Sequence, residues 1–135
     1  MNRGVILLAV AASAAVVGAA PPSALAKIAG GLWEITGTPG TKEPIRECVA
    51  DVAKLAQFEH RASRCTQSVV SESENATLIS YKCGSAGFGH STIEVITPRS
   101  LKISTQGISD QLPFNYVLQA RRVGECEKTP AITPH

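Results

Sequence analysis

From Cys65 to Cys126 the chain runs in short stretches of alternating apolar and polar residues, with a cysteine at each end. A period of two sends successive side chains to opposite faces of a strand, so this stretch is constrained to form sheet. Cys65-Thr66-Gln67-Ser68-Val69-Val70 returns through Thr77-Leu78-Ile79-Ser80-Tyr81-Lys82-Cys83. With Cys65 set opposite Cys83, Gln67 falls opposite Tyr81, Val69 falls opposite Ile79, and the bend falls on Ser73-Glu74-Asn75. That register puts Val69, Ile79, Tyr81 and both sulfurs on one face, which is expected to be buried. Closing that loop with a disulfide contributes about 3 kcal/mol on the chain-entropy model.

The alternation continues over His90 to Thr97, with Ile93 and Val95 inward. A turn through Pro98-Arg99 leads to Leu101-Lys102-Ile103-Ser104-Thr105. Val95 opposite Leu101 and Ile93 opposite Ile103 keep the apolar set together. After a bend at Asp110-Gln111-Leu112-Pro113, Phe114, Tyr116, Leu118 and Ala120 face inward beside Ile103 and Thr105. Upstream, Leu32-Trp33-Glu34-Ile35-Thr36 is a first strand with Trp33 and Ile35 on one face. Gly37-Thr38-Pro39-Gly40-Thr41 is turn chemistry, and Ile45 to Val49 is a second, shorter strand. Asp51 then caps a helix of about three turns ending near His60-Arg61. Val52, Leu55, Ala56 and Glu59 lie at helical spacing, and Phe58 also reaches the core. Gly84 to Gly89 reads as a loose segment. The fold expected is mainly β: about seven antiparallel strands in a meander, forming a curved sheet or small barrel, with one short helix.

The N-terminus reads as a signal peptide. Arg3 supplies the positive start, Val5 to Ala20 is apolar, and Ala24-Leu25-Ala26 has the small-x-small form of a cleavage site. The cut is placed before Lys27; Gly18-Ala19-Ala20 offers a second site, with Pro21 a poor next residue. Residues 1–26 are thus the signal peptide, 27–126 the disulfide-stabilised β domain, and 127–135, with Pro130 and Pro134, a disordered tail. The apolar run is shorter than the roughly 20 residues a bilayer requires, so no membrane span is expected after cleavage.

All four cysteines follow the cleavage site. An even number in an exported chain implies disulfides and an oxidising compartment, so a periplasmic or secreted location. Three pairings are possible; the hairpin favours Cys65–Cys83, which leaves Cys48–Cys126. The absence of a C-x-x-C spacing argues against zinc or thioredoxin-type chemistry. Net charge is +2 for the chain, which gives no electrostatic case for nucleic acid or an anionic membrane surface.

Gly31-Leu32-Trp33-Glu34 soon after a signal peptide, a lone Cys48 before a short helix, the Cys65-to-Cys83 hairpin, and the closing Arg121-Arg122-Val123-Gly124-Glu125-Cys126 together form a pattern. It resembles the bacterial envelope family known as domain of unknown function 3617, from about Gly30 to Cys126. The resemblance implies a periplasmic or secreted bacterial protein and supplies no activity, cofactor or catalytic residue. Members often carry a longer Met-, Pro- and Gly-rich first loop, where this chain has only Gly37 to Pro44.

No catalytic residue and no cofactor is expected. His90 and Ser91 are strand neighbours and point to opposite faces. Gly87-Phe88-Gly89-His90-Ser91 resembles a phosphate loop but precedes a strand, not the helix that such a loop needs; a bend or bulge is expected there. His60, His90 and His135 lack the local spacing of a metal site. Glu34 and Glu94, on the faces opposite Trp33 and Ile93, offer either a carboxylate pair for acid–base work or, more commonly, ordinary solvated strand faces. Trp33, Tyr81, Phe114 and Tyr116 on one face make either a filled core or a pocket for a small apolar ligand. The candidate binding residues are therefore Trp33, Tyr81, Phe88, His90 and Tyr116. The function expected is a non-enzymatic binding domain for a small apolar molecule. The alternative is a protein-binding module, such as an inhibitor or envelope partner, presenting Gly84 to Gly89 as its loop.

Overall fold

The computed structural model describes residues 9–14 and 24–127. Seven strands form one antiparallel sheet: β1 (Gly31–Thr36), β2 (Ile45–Val49), β3 (Thr66–Glu72), β4 (Ala76–Lys82), β5 (Gly87–Thr97), β6 (Ser100–Ser109) and β7 (Leu112–Gly124). Their order is β2-β1-β7-β6-β5-β4-β3. The sheet is open rather than a closed barrel, with β2 and β3 at its two edges. The chain between these edges is a 3-10 helix, Val52–His60, kinked at Gln57, whose backbone is not helical. It touches β2 as well as β4, β5 and β6. Laid flat, β2 and β4 would sit about 24 Å apart, whereas nine residues of 3-10 helix span about 18 Å. The sheet therefore curls around the helix, and the core lies between them.

Strand register follows the apolar pattern. Ile93 pairs with Ile103 and Val95 with Leu101, while Gln67 faces Tyr81 and Val69 faces Ile79. Trp33, Ile35, Ile79, Tyr81, Ile93, Leu101, Ile103 and Leu118 are almost wholly buried on the concave face. The disulfides are Cys65–Cys83 and Cys48–Cys126. The first crosses the base of the β3–β4 hairpin. The second ties β2 to the end of β7, on the other side of β1.

Three expectations are corrected. Val69 is not inward but 47 % exposed, as is the whole of β3. This edge strand lies beyond the helix's cover and meets it through Gln67, whose amide donates to Ala53 O and Gln57 Oε1. The helix is 3-10: Val52, Leu55 and Phe58 recur every three residues on its buried side, the period at which 3-10 side chains eclipse. Asp51 does cap it, accepting from the Ala53 N–H at 3.0 Å. Finally, Gly84 to Gly89 is not a loop. Gly84–Ala86 makes a single 3-10 turn, and Gly87 to Gly89 already belong to β5.

Most of the signal segment and residues 128–135 of the tail lie outside the described residues. Ala24 to Lys27 form a turn, closed where the Ile28 N–H donates to Leu25 O at 3.1 Å. Leu25 is only 7 % exposed and packs into the core, so the proposed cut before Lys27 would remove a core side chain.

Candidate functional site

Cross-strand pairs stack the concave face in layers. Val95, Leu101 and Ala120 form one layer with Ile35; Thr77, Ile93, Ile103 and Leu118 form the next. Both are dominated by aliphatic groups. Two residues further along each strand the character changes. The third layer is Ile79, Ser91, Thr105 and Tyr116, and the fourth is Tyr81, Gly89, Gly107 and Phe114. Small and hydroxyl residues occupy the two middle strands, flanked by Ile79 and Tyr116 in the third layer and by Tyr81 and Phe114 in the fourth. The glycines make room for those rings. A Cβ on Gly89 would stand 2.7 Å from the Tyr81 hydroxyl oxygen, and one on Gly87 would stand 2.9 Å from His60 Nε2.

The end of the helix fills this space with polar groups. The Ser91 hydroxyl donates to Ala56 O and lies 2.7 Å from Thr105 Oγ1. His60 is buried, with Nε2 3.0 Å from Ala86 O and Nδ1 3.1 Å from the Tyr81 hydroxyl. A carbonyl only accepts, so Nε2 carries a proton, and in the neutral ring the Tyr81 hydroxyl donates to Nδ1. The His60 ring meets Tyr81 and Phe114 edge-on, and Phe114 in turn tilts against Tyr116 at 5.8 Å. Burial pushes the Tyr81 hydroxyl up to about 12; the charge of Glu59 adds to this, and the hydrogen bond with Thr105 offsets part of it. The Tyr116 hydroxyl is raised further, first by burial, then by its hydrogen bond to Glu59 and by that carboxylate's charge.

Beside the third and fourth layers, past the end of β1, lies an open cleft of about 400 Å³ lined by Thr38, Pro39, Glu59, Pro113, Phe114, Asn115 and Tyr116. The β1–β2 turn supplies one wall, the start of β7 another, and the helix end the Glu59 carboxylate. Tyr116 donates to Glu59 Oε2. Thr38 Oγ1 is buried without a hydrogen-bond partner. A second groove of about 310 Å³ runs between β2 and the helix, past Glu47, Asp51, Lys54 and Arg61. Arg61 closes part of it, pairing with Glu47 at 3.2 Å and stacking on Phe58.

The candidate residues divide. Tyr116 lines the cleft, and Tyr81 stands behind it through His60. Trp33 is fully buried, paired with Glu47 and Arg122 toward the other end of the sheet, and its Nε1 has no partner. Phe88 is 54 % exposed, and it and His90 point to the convex face, where His90 meets Gln106. Glu34 and Glu94 are not a pair: β7 and β6 separate their strands, Glu34 bridges Arg46 and Arg121, and Glu94 bridges Lys102. His60 lies on the concave side and His90 on the convex, while His135 is outside the described residues. Among the described residues no three His, Cys, Asp or Glu side chains could share a metal, and no helix is long and apolar enough to cross a membrane. Sequence reasoning missed Thr38, Glu59 and His60 as cleft or support residues. The one usable signal was Gly89 and Gly107 inside otherwise regular strands, which marks a close approach.

No curated protein and no solved structure matches the chain. A family model described as "Protein of unknown function (DUF3617)" matches residues 28–126, from just before β1 to the last cysteine, and the chain belongs to that family.

Proposed function

We propose that this protein is an exported, non-catalytic binding domain of the periplasm or extracellular space, and that it takes a small, partly apolar ligand in the cleft past the end of β1. The carrying observation is the cleft itself. Phe114 and Tyr116 are half-buried beside it, Glu59 stands at its side, and the buried Thr38 hydroxyl lacks a partner. A few convergent polar groups in a partly apolar recess are what a small-molecule site requires. The ligand does not enter between sheet and helix, because Phe58, Leu55 and Val52 pack that space. Two disulfides suit an oxidising compartment. The reading is non-catalytic because no serine or cysteine nucleophile stands beside Glu59 in the cleft and the neighbouring His60, Tyr81 and Tyr116 are committed. Both nitrogens of His60 are hydrogen-bonded, and both tyrosine hydroxyls are held protonated.

The alternative, a protein-binding module such as an inhibitor or envelope partner, rests on a different feature from the Gly84–Gly89 loop. Edge strand β3 is exposed throughout, with Val69 and Val70 open to solvent, and a sheet edge is a template for an added strand.

Native mass spectrometry of protein recovered from the exported fraction, before and after reduction, tests the reading. A small added mass, lost when Phe114 and Tyr116 are both changed to alanine, is the result expected. A bare, fully oxidised protein that captures a macromolecular partner through β3 would replace this reading with the alternative.

A further inference from the structure

We propose that the cleft selects ligands carrying an organic ammonium group, with Glu59 as the counter-charge; this rests on the cleft being a ligand seat. Glu59 is half-buried, and only its Oε2 is engaged, by the Tyr116 hydroxyl. Among the described residues no lysine, arginine or histidine forms an ion pair with it. Arg61, two residues on, makes its direct contacts elsewhere, pairing with Glu47 at 3.2 Å, donating to Phe58 O at 3.1 Å and lying 4.3 Å from the centre of the Phe58 ring, although its charge still reaches the Tyr116 hydroxyl and offsets part of its shift. On the sheet, Glu34, Glu47 and Glu94 each have a cation, in Arg46 and Arg121, in Arg61, and in Lys102 respectively. A carboxylate with one oxygen open and no direct ion pair leaves a place for a bound cation.

The rest of the cleft says which kind of cation. Calcium takes six to eight oxygen ligands and magnesium a near-octahedral set; proline and aromatic walls supply neither. Aromatic rings do attract ammonium groups held within about 6 Å of them, and they cover an apolar body at the same time. Phe114 and Tyr116 provide two such rings side by side. The Thr38 hydroxyl, buried and unpartnered, provides an acceptor for an ammonium N–H in addition to the free oxygen of Glu59. The ligand class is therefore a small primary or secondary amine with an apolar or aromatic body, protonated at neutral pH.

The test compares 2-phenylethylamine with 2-phenylethanol, neutral and of nearly the same shape, by calorimetric and NMR titration of the oxidised full domain at pH 7. The wild type is expected to bind the amine about tenfold or more tightly than the alcohol. Glu59→Gln is expected to erase that preference by weakening the amine about tenfold or more. Glutamine still accepts from Tyr116, so the variant keeps the fold, which its NMR spectrum checks directly. Equal affinities in the wild type, or a preference that survives Glu59→Gln, overturn the ammonium assignment; if the shifts still map to Thr38, Phe114 and Tyr116, the cleft remains a ligand seat. No binding of either probe at millimolar concentration overturns both.

Discussion

The concave face has two halves built on opposite principles. In the aliphatic half, Ile93, Leu101, Ile103 and Leu118 come from adjacent strands and pack directly under the helix. In the polar half, the middle strands offer Ser91, Thr105, Gly89 and Gly107, and the volume they leave is taken by Tyr81, Phe114, Tyr116 and His60. The first half gains its stability from apolar area removed from water, which is insensitive to orientation. The second depends on hydrogen bonds whose partners must all be present, because a buried polar group left unpaired costs about 1–3 kcal/mol. A core that needed only stability would continue the aliphatic layers to the end of the sheet. Instead the layers give way to a directed network, and that network ends at Glu59 and the cleft. The lesson is that the site is paid for by the other half of the same sheet.

The largest effect separating the halves is expected from truncation. Leu118→Ala should cost about 3–4 kcal/mol, since it empties a closed site, whereas Phe114→Ala, only partly buried beside the cleft, should cost about 1–2 kcal/mol. Urea midpoints of the oxidised proteins compare them, and equal losses would erase the distinction. Next is Gly89→Ala, whose new methyl meets the Tyr81 ring. It should cost about 1–3 kcal/mol and displace Tyr81 and His60, which the Tyr81 side-chain resonances report. A smaller effect is the alkaline limit of the polar half. The Tyr81 hydroxyl titrates near 12 when folded against an ordinary value of 10. Its contribution is fully present below pH 10 and is lost as pH rises through 12, on the order of 2 kcal/mol. Stability measured from pH 9 to 12 should fall over that window, and the fall should be shallower in Tyr81→Phe. Smallest in stability is Glu59→Gln, expected within about 0.5 kcal/mol of wild type, although it removes the charge on which the proposed ligand choice depends. A large loss there would mean the carboxylate is a structural group.

The aliphatic half was legible from the sequence and the polar half mostly was not. Ile93 and Ile103 were placed opposite each other because alternation and the Pro98-Arg99 turn fix the register between them. The Cys65–Cys83 hairpin was legible for the same reason. Val69 obeyed the same alternation yet lies in water, because alternation specifies a face and not whether anything covers it. The 3-10 helix escaped notice because, over nine residues, periods of 3.0 and 3.6 bury nearly the same side chains; Val52 and Leu55 satisfy both. The cleft escaped because its groups are distant in sequence. Glu59 and Tyr116 are 57 residues apart, and neither lies in a motif. Gly84 to Gly89 looked like a loop because glycines usually break strands, whereas here Gly87 and Gly89 let the aromatic layer close over the strand.

The most direct test follows the backbone amide signals of the oxidised domain during titration with 2-phenylethylamine. The account predicts shifts at Thr38, Glu59, Phe114, Asn115 and Tyr116, with Ile93, Ile103 and Leu118 unmoved. Shifts confined to the β3 edge at Thr66–Glu72, or to Phe88 and His90 on the convex face, would contradict it and move the binding surface away from the polar half.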